Sequence, residues 1–369
     1  MRHFLPMPHV SNAALSTHTP TATQKCSLIE RMPKWLICIP LAIQWLWLGL
    51  RYWSLTLPST TNPSIPSGGL VGEGKLDYFN GTGRLGLSAI ATYCALSTHH
   101  RWTAKSLSKK MASAGLTFPV IAKPNVGLCG FGVQRIATMD ALLSYCRAFP
   151  PHEVIVLQRY VSDVGEAGIF YLRDPDRAVG ELIGLALRYA PQVIGDGVHT
   201  INELIDENRR ARRLQSSQHH CNFDGAQIPP RGTSVRLATI GSTRVGGLYC
   251  NGADLITPQL TAAIDAIARD MRSFHFGRFD VRFDDVNELR AGRGFTIIEI
   301  NGAGSEAIHA WDPQIGVIAA FRIIFDKQRR LFAIGQKMRR RGIRPMRLLE
   351  LCRQYRRQQR LISQYPLSN

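Results

Sequence analysis

Gly277-Arg278-Phe279-Asp280-Val281-Arg282, followed by Phe295-Thr296-Ile297-Ile298-Glu299-Ile300-Asn301-Gly302, is the stretch on which the reading of this chain turns. Both segments look like strands, and both carry oxygen ligands. Glu299 and Asn301 are two residues apart, so on a strand their side chains leave the same face. Asp280 on the neighbouring segment completes a set of two carboxylates and one amide oxygen, with Arg278 beside it. Such a set suits Mg²⁺, which takes hard oxygens and usually shares its shell with substrate phosphates. The pattern therefore points to a nucleotide triphosphate as a reaction partner.

A second element upstream agrees. Phe118-Pro119-Val120-Ile121-Ala122-Lys123-Pro124 reads as a strand ending in a lysine, and Asn125 to Val133 follows with Gly127, Gly130 and Gly132. Closely spaced glycines let backbone N–H groups approach phosphate oxygens and form an anion nest. The lysine precedes the glycines and no Lys-Ser/Thr pair follows, so this is not a Walker loop. Taken alone the stretch is more often a plain hairpin; coupled to Asp280, Glu299 and Asn301 it reads as a phosphate cradle.

From about residue 116 to 313 these residues resemble the ATP-grasp superfamily. The segment Val154–Val161 matches its hinge strand. Val193-Ile194-Gly195-Asp196-Gly197-Val198-His199-Thr200-Ile201 and Pro230-Arg231-Gly232-Thr233-Ser234-Val235-Arg236-Leu237 make the chain similar to D-alanine–D-alanine ligase-like and cyanophycin-synthetase-like members. The resemblance implies an α+β fold, two lobes gripping ATP. It implies that Lys123 meets the nucleotide phosphates, with Lys75, 48 residues earlier, as a second lysine. Gln158 and Tyr160 would lie at the adenine edge, and Glu166 at the ribose. Arg188 and Arg278 resemble the phosphate and transition-state arginines, and Asp280, Glu299 and Asn301 the Mg²⁺ ligands, with Mn²⁺ as an alternative ion. The Gly302 N–H would join Arg278 in holding an oxyanion, and Glu306 would either hold a substrate ammonium or cap its turn. The implied activity is an ADP-forming carboxylate–amine ligase with an acyl-phosphate intermediate, acting on amino-acid or peptide-like substrates. The alternatives are a phosphotransferase and a non-catalytic nucleotide-binding module at a membrane surface.

The rest of the chain is less specific. Apolar residues make up 45% of the 369, enough for a core or two. Eight cysteines without a CxxC pair argue for a reducing, cytoplasmic setting. His219-His220-Cys221 lacks a partnering ligand pair and reads as structural, as does His199 before a Thr200 N-cap; Cys129 reads as a small loop residue. The net charge is +18, of which Arg322–Arg360 carries +12, yet its Arg339–Arg360 stretch holds one aromatic, Tyr355, and no nucleic-acid motif.

The expected organisation is a disordered leader at 1–34, with Met32 as a candidate start, and a tryptophan-rich helix at 35–57. A reduced region at 58–115 precedes a small lobe at 116–162, a large lobe at 163–313 and a basic helical tail at 314–369. Trp35–Leu50 is apolar but shorter than a spanning helix needs. It reads as a helix docked on the body, with an anionic membrane surface at the inner face as the competing setting. Helices are expected at Met139–Cys146, Asn202–Leu214 and Pro258–Ser273, and strands at Val154–Gln158, Ser234–Ile240 and Arg278–Phe283.

Overall fold

Alternation along the first quoted segment organises the centre of the molecule. Phe279, Val281 and Phe283 point into a buried apolar core, while Arg278, Asp280 and Arg282 leave the opposite face. The computed structural model describes Cys26, residues 28–217, His219, Cys221 and residues 223–369.

Along the chain, α1 (Leu28–Arg31) and α2 (Lys34–Arg51) come first, then α3 (Lys75–Phe79) and α4 (Arg84–Ala89). A small lobe follows: β1 (Tyr93–Ser97), α5 (Ala104–Ser113), β2 (Val120–Pro124), β3 (Gln134–Ile136), α6 (Met139–Ala148) and β4 (Val154–Arg159). Its antiparallel sheet has the order β1-β4-β2-β3. The large lobe holds β5 (Gly165–Leu172), β6 (Glu181–Tyr189), β7 (Gln192–Ile194), α7 (Ile201–Glu207), β8 (Ser234–Arg236), β9 (Leu248–Asn251), α8 (Pro258–Asp270), β10 (Phe276–Phe283), α9 (Val286–Arg290) and β11 (Phe295–Asn301). Five of these strands form an antiparallel sheet, β11-β10-β5-β6-β9, and β7 pairs with β8 alone. Helices α10 (Val317–Arg340) and α11 (Leu348–Ile362) complete the chain. The fold is α+β.

One irregularity shapes the site. Asp280 pairs with Glu299, but Val281 pairs with Ile297, so Ile298 bulges out of the ladder. Ile297 and Ile300 can then both enter the core while Ile298, Glu299 and Asn301 line the cleft.

Several expectations need correction. Residues 1–25 and 27 of the expected leader lie outside the described residues, but the leader does not extend to 34. Leu28–Arg31 is helical, Ile29 is buried with Ile37, Ala310 and Ala320, and Glu30 pairs with Arg210 at 2.8 Å. Residues 58–115 are not a separate region. Tyr78 and Phe79 enter the large-lobe core, whereas β1 pairs with β4 and Leu107 of α5 joins the small-lobe core. The helix expected across Asn202–Leu214 stops at Glu207, because the Asn208 carboxamide accepts from the Arg210 and Ala211 N–H groups; a short 3₁₀ turn follows. The strand at Ser234–Ile240 shortens to β8, where the Arg236 guanidinium turns back onto the Ala238 and Thr239 carbonyls. The basic tail is no appendage. Leu331, Ile334 and Met338 of α10 pack with Leu172 and Phe276, and Leu361, Ile362 and Tyr365 enter the small-lobe core.

Candidate active site

The two large sheets face one another across a cavity of about 420 Å³. The small lobe contributes Ile121, Lys123 and Gln158 to it, and the large lobe Glu166, Arg278 and Glu299. Lys75, Gly127, Gly130, Tyr160, Arg188, Asn301 and Glu306 also line it. Of the residues singled out from sequence, Gly132, Asp280 and Gly302 do not line the cavity, although Asp280 touches residues that do.

Two lysines reach the cleft from different directions. Lys123 sits at the end of β2, buried, and its Nζ donates to Gln158 Oε1 at 2.7 Å and to the Ile298 carbonyl at 2.8 Å. Burial lowers its pKa to about 7, despite the opposing pull of Glu299. Lys75 opens α3 and meets Glu299 Oε1 at 3.1 Å. Burial acts to raise the Glu299 pKa, but Lys75, Lys123 and Arg278 outweigh it and hold the carboxyl at about 2. Those three cations favour the carboxylate form of Glu299.

Asp280, fully buried, is the hub of the opposite wall. It accepts from Arg278 Nε at 2.5 Å and Nη2 at 2.9 Å, from Arg188 Nη1 at 3.0 Å and from Asn301 Nδ2 at 3.3 Å. Arg188 also meets Glu166 at 3.0 Å, and Glu166 meets Arg282 at 2.9 Å. Burial works against the charge on Arg188, but Glu166 and Asp280 reverse that and raise its pKa. Burial likewise opposes ionisation of Glu166, and Arg188 and Arg282 overcome it. Glu166 is thus a buried member of an ion-pair chain, and Arg188 is far from a surface salt bridge.

The donor set at Asp280, Glu299 and Asn301 fits a hard cation. Asp280 and Glu299 face each other in register, and Asn301 is already bonded to Asp280. Turning the Asn301 amide over would present its oxygen, and amide O and N are assigned from such networks. Among the described residues no group of three or more His, Cys, Asp or Glu gathers for a metal, so any ion here would rely on the asparagine.

The glycine loop connects β2 to β3 and is held from outside. Gly130 has φ +74°, a left-handed conformation that favours glycine. Arg244 of the large lobe donates to the Cys129 carbonyl at 3.2 Å, and Gln358 of α11 donates to the Gly127 carbonyl at 3.1 Å. At the hinge, the Gln158 side chain is committed to Lys123 and to the Ala91 carbonyl, at 3.2 Å. Its backbone lies within the sheet, in register with Tyr93 of β1 and Ile121 of β2. The Tyr160 ring lies under the Arg135 guanidinium at 4.9 Å.

Gly302 departs from expectation. A Cβ there would stand 2.5 Å from Tyr78 Oη and 2.8 Å from the Gly68 carbonyl. The residue is packed into the Gly68–Gly69 turn, and the cleft is lined instead by Gly304, Ser305 and Glu306. Glu306 is exposed, and its carbonyl accepts from Arg278 Nη1 at 3.1 Å.

Four further residues at the cleft were missed. Arg282 was legible, since it continues the alternation of Arg278 and Asp280. Glu73 lines the cavity with Oε2 unpaired, and burial raises its pKa. The Ser305 hydroxyl is buried there without a partner. Neither these two nor Gln358 carries a sequence pattern that would have found it.

No family model matches the chain. It is 26% identical over 151 residues to the Glutathione biosynthesis bifunctional protein GshAB of Streptococcus agalactiae, in serotype V and serotype III strains. That match covers 35% of this chain, and the chain spans 19% of the length of those curated relatives. Among solved structures, a bifunctional glutathione synthetase from Pasteurella multocida matches at 18% identity and TM-score 0.33, covering 66% of this chain and 35% of that one. D-alanine–D-alanine ligase from Bacillus anthracis matches at 14% identity and TM-score 0.37, covering 69% and 64%. The chain thus has an α+β fold in which two antiparallel sheets close on one cleft of lysines, arginines and carboxylates, and it is similar over part of its length to a glutathione biosynthesis protein.

Proposed function

We propose that this chain is an ATP-dependent carboxylate–amine ligase that forms an amide through an acyl phosphate. The observation that carries the reading is the convergence, in one cleft, of Lys75, Lys123, Arg188 and Arg278 with Glu299 and Asn301, backed by the buried Asp280 that bonds Arg188, Arg278 and Asn301. The relatives named for glutathione biosynthesis accord with joining amino-acid-like units.

The chemical problem is repulsion. A carboxylate oxygen must attack the γ-phosphorus of ATP, and both partners are anionic. The carboxylate forms a new O–P bond as the bond to the ADP oxygen breaks. An amine then attacks the acyl carbon, phosphate leaves, and the ammonium proton passes to water. Lys123 and Lys75 would bind phosphate oxygens, with the Gly127–Gly130 backbone closing over them. Arg278 would stabilise the transferring group, held in its orientation by Asp280 and the Glu306 carbonyl. Arg188 would relay from Asp280 towards Glu166, where a ribose hydroxyl would be accepted. Gln158 and Tyr160 would bound the adenine, and Glu306 would face the substrate ammonium. Asp280, Glu299 and Asn301 would hold Mg²⁺ or Mn²⁺. When bound, that ion supplies Lewis-acid neutralisation of phosphate oxygens.

The test is release of ADP and phosphate from ATP with a panel of amino acids and short peptides. Release that requires both a carboxylate and an amine supports the ligase. Release indifferent to every addition contradicts it, and accumulation of a stable phosphorylated acceptor favours a phosphotransferase.

A further inference from the structure

One helix leaves an apolar surface that the ligase reading does not use. Helix α2 is apolar nearly all round, and one face packs on the body. Ile37 and Leu48 are buried, Trp45 meets the Phe332 ring edge-on at 5.0 Å, and Gln44 Nε2 donates to the Phe325 carbonyl at 2.8 Å. Gln44 therefore spends its polarity on α10. At 100° per residue the opposite face carries Trp35, Ile39, Ile43, Leu46, Trp47 and Leu50, a stripe about 120° wide. These side chains are open: Trp35 is 64% exposed, Ile43 62% and Leu50 74%. Trp53, just past the helix, is 90% exposed. Scattered exposed leucines are ordinary, but a continuous stripe the length of a helix marks an interaction surface.

Charge decides what fits it. No Asp or Glu occurs between Glu30 and Glu73, and Glu30 is itself neutralised by Arg210 at 2.8 Å. Exposed Arg31 and Lys34 stand at the N-terminal end of the stripe. Arg51 stands at the other end, its guanidinium 5.5 Å from the Trp47 ring. Tryptophans amid an apolar face with cations at both ends suit a bilayer interface, where indole rings sit at headgroup depth and arginines meet lipid phosphates. A second copy of the stripe would bring like charges together end to end. Among the described residues no helix is long and apolar enough to cross a membrane, so the helix would lie flat.

We propose that α2 is an interfacial anchor that lays its Trp35–Leu50 stripe, with Trp53, into the headgroup region of an anionic membrane. The folded body takes the place of the polar face that a free amphipathic helix would need. Apolar insertion and cation–phosphate attraction are each weak anchors, and together they hold.

The test is flotation of the full chain with vesicles of phosphatidylglycerol and phosphatidylcholine, against phosphatidylcholine alone. The wild type should float with the anionic vesicles and much less with the neutral ones. Binding should weaken as salt shortens the Debye length from about 8 Å to about 3 Å. Ile43→Glu and Leu50→Glu replace exposed residues, so the melting curve should be unchanged. Each should lower vesicle partition on the order of tenfold. Brominated acyl chains should quench tryptophan emission in the wild type. Failure to float with either vesicle overturns the proposal, as does flotation indifferent to both substitutions. A wild-type dimer in light scattering that the substitutions dissociate also overturns it, in favour of a self-association face.

Discussion

Replacing Lys123 by methionine isolates the phosphate contact that the proposed function requires. The ammonium has three hydrogens, and two are already given to Gln158 Oε1 and the Ile298 carbonyl at 2.7 and 2.8 Å. The third is free to meet a phosphate oxygen in the cleft. A hydrogen bond to a charged partner is worth about 1.5–3 kcal/mol, so the Kd for ATP should rise about 10- to 100-fold. The fold should suffer less. Methionine leaves two buried acceptors short, at about 1–3 kcal/mol each, but it also removes a cation whose burial is costly enough to lower its pKa to about 7. That value adds a pH signature. The lysine binds phosphate as a cation and loses its proton as pH rises through about 7. Wild-type affinity should therefore fall above that pH, by up to about tenfold per unit, while the methionine variant stays flat. Calorimetric titration with ATP across this range, beside a thermal melt, makes the measurement. Unchanged affinity in the variant would refute the assignment and return the glycine loop to a plain hairpin.

Three further outcomes follow from the same geometry. Glu299→Gln should cut turnover by about a hundredfold or more with little change in melting temperature; equal loss of activity and stability would mark Glu299 as structural. Arg188→Ala takes one of two arginine partners from each of the buried Asp280 and Glu166 carboxylates, leaving Arg278 and Arg282, so urea unfolding should show up to about 3–5 kcal/mol of destabilisation, and a loss below about 1 kcal/mol would mean that the cluster is well solvated. Gly302→Ala drives a Cβ to 2.5 Å from Tyr78 Oη and 2.8 Å from the Gly68 carbonyl. It should destabilise by about 1–3 kcal/mol, with Tyr78→Phe restoring only part; full restoration would locate the whole clash at the hydroxyl.

The chemistry was more legible in the sequence than the architecture around it. Strand period placed Glu299 with Asn301 on one face, and Arg278 with Asp280, because side-chain direction on a strand is fixed by parity. Parity did not foresee the bulge at Ile298, which lets Ile297 and Ile300 share the core. Nor could it reveal that Lys123 would be shared with Gln158, since that contact joins neighbouring strands. The supports of the glycine loop come from Arg244 and Gln358, 114 to 231 residues distant, and long-range pairing leaves no periodic trace. In the sequence the tail shows itself only as a basic helical segment, because its charges dominate. Its sparse apolar residues, Leu361, Ile362 and Tyr365, nevertheless close the small-lobe core. The resemblance makes Gly302 a backbone donor, whereas the structure packs it closely against the Gly68–Gly69 turn.

The measurement that bears most directly on the central claim is oxygen transfer from substrate to phosphate. Once a carboxylate that stimulates ADP release has been found, it is supplied with both oxygens as ¹⁸O, together with ATP, Mg²⁺ and an amine. Attack of that carboxylate on the γ-phosphorus, followed by amine attack on the acyl carbon, predicts one ¹⁸O in the released phosphate for every amide formed. Amide formation with unlabelled phosphate, or ADP release with both labels retained on the free carboxylate, would contradict the acyl-phosphate ligase.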